Sequence, residues 1–352
     1  MAAMKLKICV RVLVILAFAS LLTACRIRGW EGFPTTYDPR FVWPPPPETP
    51  KVAFILEIKS HEDLFQTAGM WNGIKELVAG PPDSTLLRPY ALALHPDGGL
   101  LIADPGRHLV HFYGWGHRKY VAIGSQSDSG LPSPVGVAAL PDGRILVSDS
   151  RLGKILTFSS DGKLGGDFCK SDAVERPAGI VVAPARREVY VADVTRHCIV
   201  VFDFGGAVLR TIGKRGDGSV EFNFPTHLAL GPDGSLAVTD SMNFRVQTVT
   251  PEGKFVRSVG RLGDAPGTLS KPKGVALDSE GNTIVAEGLY GALEFFDPNG
   301  QLLLNLGASG HGPGEFWLPA GLLFDPEQRL LFVADSYNNR VQVFRMLRES
   351  AP

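Results

Sequence analysis

The chain has 352 residues and a net charge of −1, with 44% apolar and 20% charged residues, 40 glycines and 27 prolines. That balance supplies apolar material for a sizeable core and turn residues for many short strands. No basic run follows the N-terminus, so the clustered positive face of a nucleic-acid binder is not expected.

Lys5, Lys7 and Arg11 precede an apolar stretch from Val12 to Leu22. The stretch is too short to span a bilayer comfortably, so residues 1–25 read as a signal peptide. Leu22-Thr23-Ala24-Cys25, which ends it, resembles the lipobox of bacterial lipoproteins. The resemblance implies export and lipidation of Cys25 as the first mature residue, with more than one acyl chain anchoring the protein to the cell envelope. Arg26 stands where an Asp would favour inner-membrane retention, which implies an outer-membrane anchor facing the periplasm in a Gram-negative cell. An uncleaved anchor is the alternative.

Residues 26–50 are rich in proline and aromatics and end in Trp43-Pro44-Pro45-Pro46-Pro47-Glu48-Thr49-Pro50. They are expected to form a semi-rigid polyproline tether, or to pack in part onto the globular body through Trp30, Phe33 and Trp43. Lys51–Ile58 is an apolar strand with no partner nearby in sequence. In residues 60–79, Ser60-His61-Glu62-Asp63 reads as a capping box, followed by a broken amphipathic pattern through Leu64, Phe65, Trp71, Ile74, Leu77 and Val78. A short helical insertion is expected there, either packed over the body or serving as a lid or docking element.

From residue 89 onward a proline, an apolar strand, a turn and a second apolar strand lead repeatedly to an acidic residue. These residues are Asp104, Asp149, Asp193, Asp240, Glu287 and Asp335, at intervals of 45, 44, 47, 47 and 48. A period of roughly 40–50 residues built from short strands is the mark of a β-propeller, one blade per repeat. Each repeat reads as four strands, a to d, with Asp-Gly or Glu-Gly pairs at tight turns. The sixth repeat stops after strand c, so Lys51–Ile58 is expected to supply its fourth strand and close the ring. The fold class is therefore all-β, a six-bladed propeller over residues 51–347 with a tail at 348–352.

Pro319-Ala320-Gly321, followed by Val333-Ala334-Asp335-Ser336-Tyr337-Asn338-Asn339-Arg340-Val341-Gln342-Val343-Phe344, resembles the NHL repeat. Thr239-Asp240-Ser241-Met242-Asn243-Phe244-Arg245-Val246-Gln247 repeats the pattern, and Gly307–Phe316 is similar to its glycine-rich linker. The resemblance implies six NHL blades over about residues 50–346 and leaves function open.

Six carboxylates on one face would suit a Ca²⁺ ion, but each has a structural reading. An Asp ending strand b can accept backbone N–H groups of the b–c loop and pair with a basic residue five positions on. Those pairs are Asp240 with Arg245, Asp335 with Arg340 and Asp149 with Lys154; blades one, three and five have Leu109, Cys198 and Ala292 instead. The residue two after each proline lines the channel mouth: Ala91, Gly136, Gly179, His227, Gly274 and Gly321. The related peptidyl-hydroxyglycine lyases hold zinc with several His residues from different blades. A single His here does not carry that site over.

His227, with Glu287 or Tyr90, is the catalytic or recognition candidate if the chain is an enzyme. His108 and His197 share a b–c loop position and are expected at the surface. Cys169 and Cys198 are placed on one face of adjacent blades, where either a disulfide or two free thiols would serve. No cofactor is expected, with a channel Ca²⁺ or Zn²⁺ as the alternative. The leading function is an envelope-anchored, monomeric, non-catalytic module that binds a protein, peptide or glycan through the face bearing the d–a and b–c loops. A metal-assisted lyase or hydrolase at the channel mouth is the competing one.

Overall fold

The computed structural model describes residues 32–64, 83–115, 119–125 and 130–347. Nearly all of these belong to the compact unit formed by Phe33–Leu64 and Ser84–Pro352. The apolar stretch, Cys25, Trp30 and most of the 60–79 element lie outside the described residues. Among the described residues, no helix is long and apolar enough to cross a membrane.

Six antiparallel sheets begin with the inner strands Ala91–Leu94, Pro134–Ala139, Pro177–Ala183, Pro225–Leu230, Pro272–Leu277 and Pro319–Asp325. They are strand a of blades one to six. Each touches its neighbours on both sides and the sixth touches the first, where the Gly321 N–H donates to the Tyr90 carbonyl at 2.8 Å. The chain is thus an all-β six-bladed propeller around a central channel. In blade six, Arg340–Met346 pairs antiparallel with Val52–Ile58, and Val42–Trp43 adds a further strand beyond it.

The core lies between blades. Strand b is covered on both sides and wholly buried, as in Gly99–Asp104, Glu188–Asp193 and Leu330–Asp335. Ile155 and Leu146 of blade two pack with Val189 and Val200 of blade three in one such layer. Each fully buried aliphatic side chain contributes about 1.5–3 kcal/mol. Outer strands such as Val208–Ile212 are largely solvated, with only Ile212 buried.

Near the axis, close approach is bought with missing side chains. A Cβ on Gly179 would lie 2.6 Å from the Thr226 carbonyl oxygen, and one on Gly321 would lie 2.4 Å from that of Tyr90. Glycine lets each inner strand lie directly against the next.

Two regions with open alternatives reach into the described residues. Residues 33–50 are no free tether: Phe33 is buried against Trp115 and Phe332, Trp43 packs edge-on to Phe344, and Arg345 donates to the Pro34 carbonyl at 3.0 Å. Burying these aromatics on blade six outweighs the preference of the prolines for a solvated extended chain. Of the 60–79 element, His61–Leu64 forms a single 3₁₀ turn. Its Asp63 accepts the backbone N–H groups of Lys59 at 2.7 Å and Ser60 at 2.8 Å, the return half of a capping box.

Candidate binding site at the channel mouth

The six periodic acidic residues are buried staples between loops. Each reaches from the end of strand b to backbone N–H groups just before the proline that opens strand a of its own blade. Asp104 accepts from Leu87 and Arg88, Asp193 from Glu175 and Arg176, and Glu287 from Ser270 and Lys271. Asp149, Asp240 and Asp335 accept from Ser133, Asn223 and Trp317. Arg245 and Arg340 each donate through Nε at 2.8 Å to Asp240 and Asp335.

The remaining blades find other donors. His111, two residues into strand c, places Nε2 at 3.4 Å from Asp104. Burial opposes the Asp104 charge, but the adjacent His111 imidazole and hydrogen bonds from the Leu87 and Arg88 amides outweigh it and hold the carboxyl below its ordinary value. Asp193 has the Arg196 Nε at 3.7 Å. Lys154 is a correction: its ammonium turns outward to Asp167 at 2.8 Å, and Asp149 is satisfied by Ser133, Arg151 and Leu152 amides. A flexible lysine stem gains more from a solvated partner than from a carboxylate already capped by amides.

Within the ring runs a cavity of about 270 Å³ walled by the six inner strands. Among the described residues lining it, His227 alone has a polar side chain; the rest are glycine or apolar, such as Val137, Ile180 and Phe324. His227 is 6% exposed, and its Nδ1 lies 3.2 Å from Thr226 Oγ1, which is 2.7 Å from Ser241 Oγ. Its Nε2 is buried without a hydrogen-bond partner. The Tyr90 ring packs on the imidazole with centroids 5.2 Å apart and planes inclined by 34°. Blades one and four face each other across the ring, so Tyr90 bridges the channel mouth.

Lys273 of blade five completes the group, its ammonium 5.9 Å from the centre of the Tyr90 ring. Burial, reinforced by repulsion from Lys273, pushes His227 down to about 3, so the imidazole is neutral at physiological pH. Burial lifts the half-buried Tyr90 to about 12 despite the nearby Arg176. Burial also lowers Lys273, aided by Lys271.

The trio His227, Glu287 and Tyr90 is only partly assembled. Tyr90 meets His227, whereas both Glu287 oxygens accept amides of Ser270, Lys271 and Leu289 on the blade-five loops. A carboxylate so engaged is a structural acceptor, not a base free to act with His227. Among the described residues, no three of His, Cys, Asp and Glu gather as metal ligands. Cys169 and Cys198 are both free thiols in the structure, and Cys198 is buried between blades two and three. His197 is buried rather than at the surface, accepting the Phe224 N–H at 3.1 Å, while His108 is exposed and reaches the Pro132 carbonyl at 3.0 Å. Both histidines tie a b–c loop to the next blade.

Around the mouth, the d–a and b–c loops leave large apolar side chains in solvent: Leu152, Phe224, Met242, Leu289, Trp317 and Tyr337. Trp317 and Tyr337 have ring centroids 5.7 Å apart, and the Arg88 guanidinium lies 5.3 Å from the centre of the Tyr337 ring. Because the six periodic carboxylates are buried, the exposed charge beside these residues comes from groups such as Arg88, Arg176 and Lys271.

The sequence matches the NHL repeat over residues 175–202 and 316–344. No curated protein matches it. Among solved structures it is similar to the virginiamycin B lyase of Staphylococcus aureus, with TM-score 0.54 and 15% identity over 74% of this chain and 95% of that one. It is also similar to a gluconolactonase from Xanthomonas campestris, with TM-score 0.56 and 15% identity over 74% and 87% of the two chains. A Bacteroides thetaiotaomicron protein of unknown function gives TM-score 0.57 and 13% identity over 75% and 70%. At such identities the likeness is one of fold. The chain is a six-bladed β-propeller that carries NHL repeats.

Proposed function

We propose that this propeller is an envelope-anchored, monomeric binding module, lipidated on Cys25, that engages a protein, peptide or glycan through the face bearing the d–a and b–c loops. The observation that carries the reading is the exposed Trp317–Tyr337–Arg88 cluster on that face. Trp, Tyr and Arg supply most of the energy at interface hot spots, because they combine large contact area with directional polar groups. Here 49% of Trp317 and 44% of Tyr337 remain in solvent. The loops that hold them are stapled by buried carboxylates, so little order has to be gained on binding.

Photocrosslinking from position 337 in the full-length, membrane-anchored chain tests this. Position 142, on the a–b turn of blade two at the opposite face, serves as control. A discrete adduct from 337, absent from 142 and diminished by Trp317→Ala, supports the proposal. Equal adducts from both positions, or none from 337, refute it.

A further inference from the structure

A buried histidine with an unsatisfied ring nitrogen is costly, and blades two, three, five and six place glycine at the same position. Lys273 is likewise a half-buried cation to which no described carboxylate is bonded. Beneath the pair lies a bore with no other polar side chain among its described lining residues. When the Thr226 hydroxyl donates to Nδ1, itself accepting from Ser241, the neutral His227 presents Nε2–H as a donor. One ammonium and one neutral N–H at the end of a tube whose other side chains are apolar match one carboxylate with a hydrocarbon tail.

We propose that the channel mouth binds an aliphatic carboxylate, its head held by Lys273 and His227 and its chain in the bore, and that Tyr90 covers this site until the ligand enters. The His227 Nε2 has no solvent-exposed surface while the Tyr90 ring lies on the imidazole. A ligand oxygen reaches it only after that ring turns aside. Arg176 and Lys271 add positive charge around the mouth but do not line the bore, so selection for this ligand falls on the chain below its head group. A ligand with polar groups along its length would meet no polar side chain among the described lining residues below His227. The site does not use Trp317 or Tyr337, so it stands or falls independently of partner binding on the loop face.

Octanoate and octanol are titrated calorimetrically into the full-length chain. The expected result is saturable octanoate binding at one site per chain, weakened roughly tenfold or more by Lys273→Gln and by His227→Leu. Octanol should bind more weakly and ignore Lys273→Gln. In stopped-flow, Tyr90→Ala should raise the octanoate association rate, because the cover is gone. Lys273→Gln changes a partly exposed side chain, and His227→Gln offers a polar substitute if the Leu variant does not fold. Absence of saturable binding to both wild type and Tyr90→Ala overturns the site. Binding undiminished by Lys273→Gln and the His227 variants overturns it equally, and an unchanged association rate in Tyr90→Ala overturns the cover.

Discussion

Glu57 and Arg340 stand 283 residues apart in the chain and 2.7 Å apart in the fold. The same guanidinium donates to Asp335 at 2.8 Å and to the carbonyls of Gly312 and Glu315, with 4% of its side chain exposed. It therefore joins the strand contributed by the N-terminal part of the chain to the staple of blade six. Arg340→Met keeps much of the stem packing and strands a fully buried carboxylate. Breaking a buried pair from one side costs about 3–5 kcal/mol. Asn338, Gln342 and the Trp317 amide still serve Asp335, so a loss near the lower end, about 3 kcal/mol, is expected. Urea unfolding reads it as a lower midpoint at unchanged m-value. Asp335→Asn combined with Arg340→Met should cost less than the two singles added together.

Glu294 occupies in blade five the place that Gln247 and Gln342 hold in blades four and six. Each accepts one loop amide, from Gly267 at 2.9 Å, Val220 at 3.0 Å and Gly314 at 2.9 Å respectively. The glutamines also donate, to the Glu221 and Glu315 carbonyls, which an ionised Glu cannot do. Burial raises Glu294 to about 7 against the pull of the Gly267 amide, with the Glu287 charge adding to the rise. Below about 4.5 folded and unfolded chains both hold this proton. Between about 4.5 and about 7 the unfolded chain releases it first, so this group lowers stability as pH rises, and the loss is complete above about 7. Glu294→Gln, with the Asn305 amide turned to suit, should match wild type in acid and exceed it by up to about 3 kcal/mol above neutrality. A pH-independent difference between the two proteins would refute the assignment.

The fold was legible because its determinants are local and periodic. The spacing of successive acidic residues from Asp104 to Asp335, the Asp-Gly turns and the strand b runs all repeat with the blade. What escaped was decided by contacts between distant positions. Tyr90 is unremarkable in its own repeat, yet it meets His227 because blades one and four oppose each other. His111 serves Asp104 from the position that holds Gln247 and Gln342 in blades four and six, both of which also donate to their staple, but Leu156 in blade two and Val200 in blade three break that column. Residues 33–50 carry both a proline signal for extended chain and the aromatics Phe33 and Trp43 that offer packing, and the aromatic surface of blade six decides between the two. Glu287 looked distinctive among aspartates, but its two oxygens do the same stapling from one methylene further away.

Close packing at the axis makes a sharp mutational forecast. A Cβ on Gly274 would sit 2.2 Å from the Ala320 carbonyl oxygen and 2.6 Å from the Leu322 nitrogen, both backbone atoms of the next inner strand. Neither can swing away as a side-chain tip could. Gly274→Ala should cost about 1–3 kcal/mol as overpacking. Gly130→Ala, where nothing lies within 4 Å of the added carbon, is the control and should be close to neutral. Thermal unfolding of the two variants beside wild type decides it; equal midpoints would mean that the ring can expand.

The two propeller cysteines differ in exposure but share a chemical fate. Burial, with repulsion from Asp167, pushes Cys169 up to about 11, and burial with repulsion from Asp193 does the same for Cys198. Since the thiolate is the nucleophile, only roughly one part in ten thousand is reactive near neutral pH. Iodoacetamide should therefore modify both residues slowly in the native protein and rapidly after unfolding. Cys169 should lead, because Cys198 is sealed between blades while Cys169 is half-buried. Peptide mapping by mass spectrometry after timed labelling measures the two rates separately. Recovery of a disulfide-linked peptide pair from oxidised native protein would contradict the free thiols, and fast native labelling of Cys198 would contradict the packing that surrounds it.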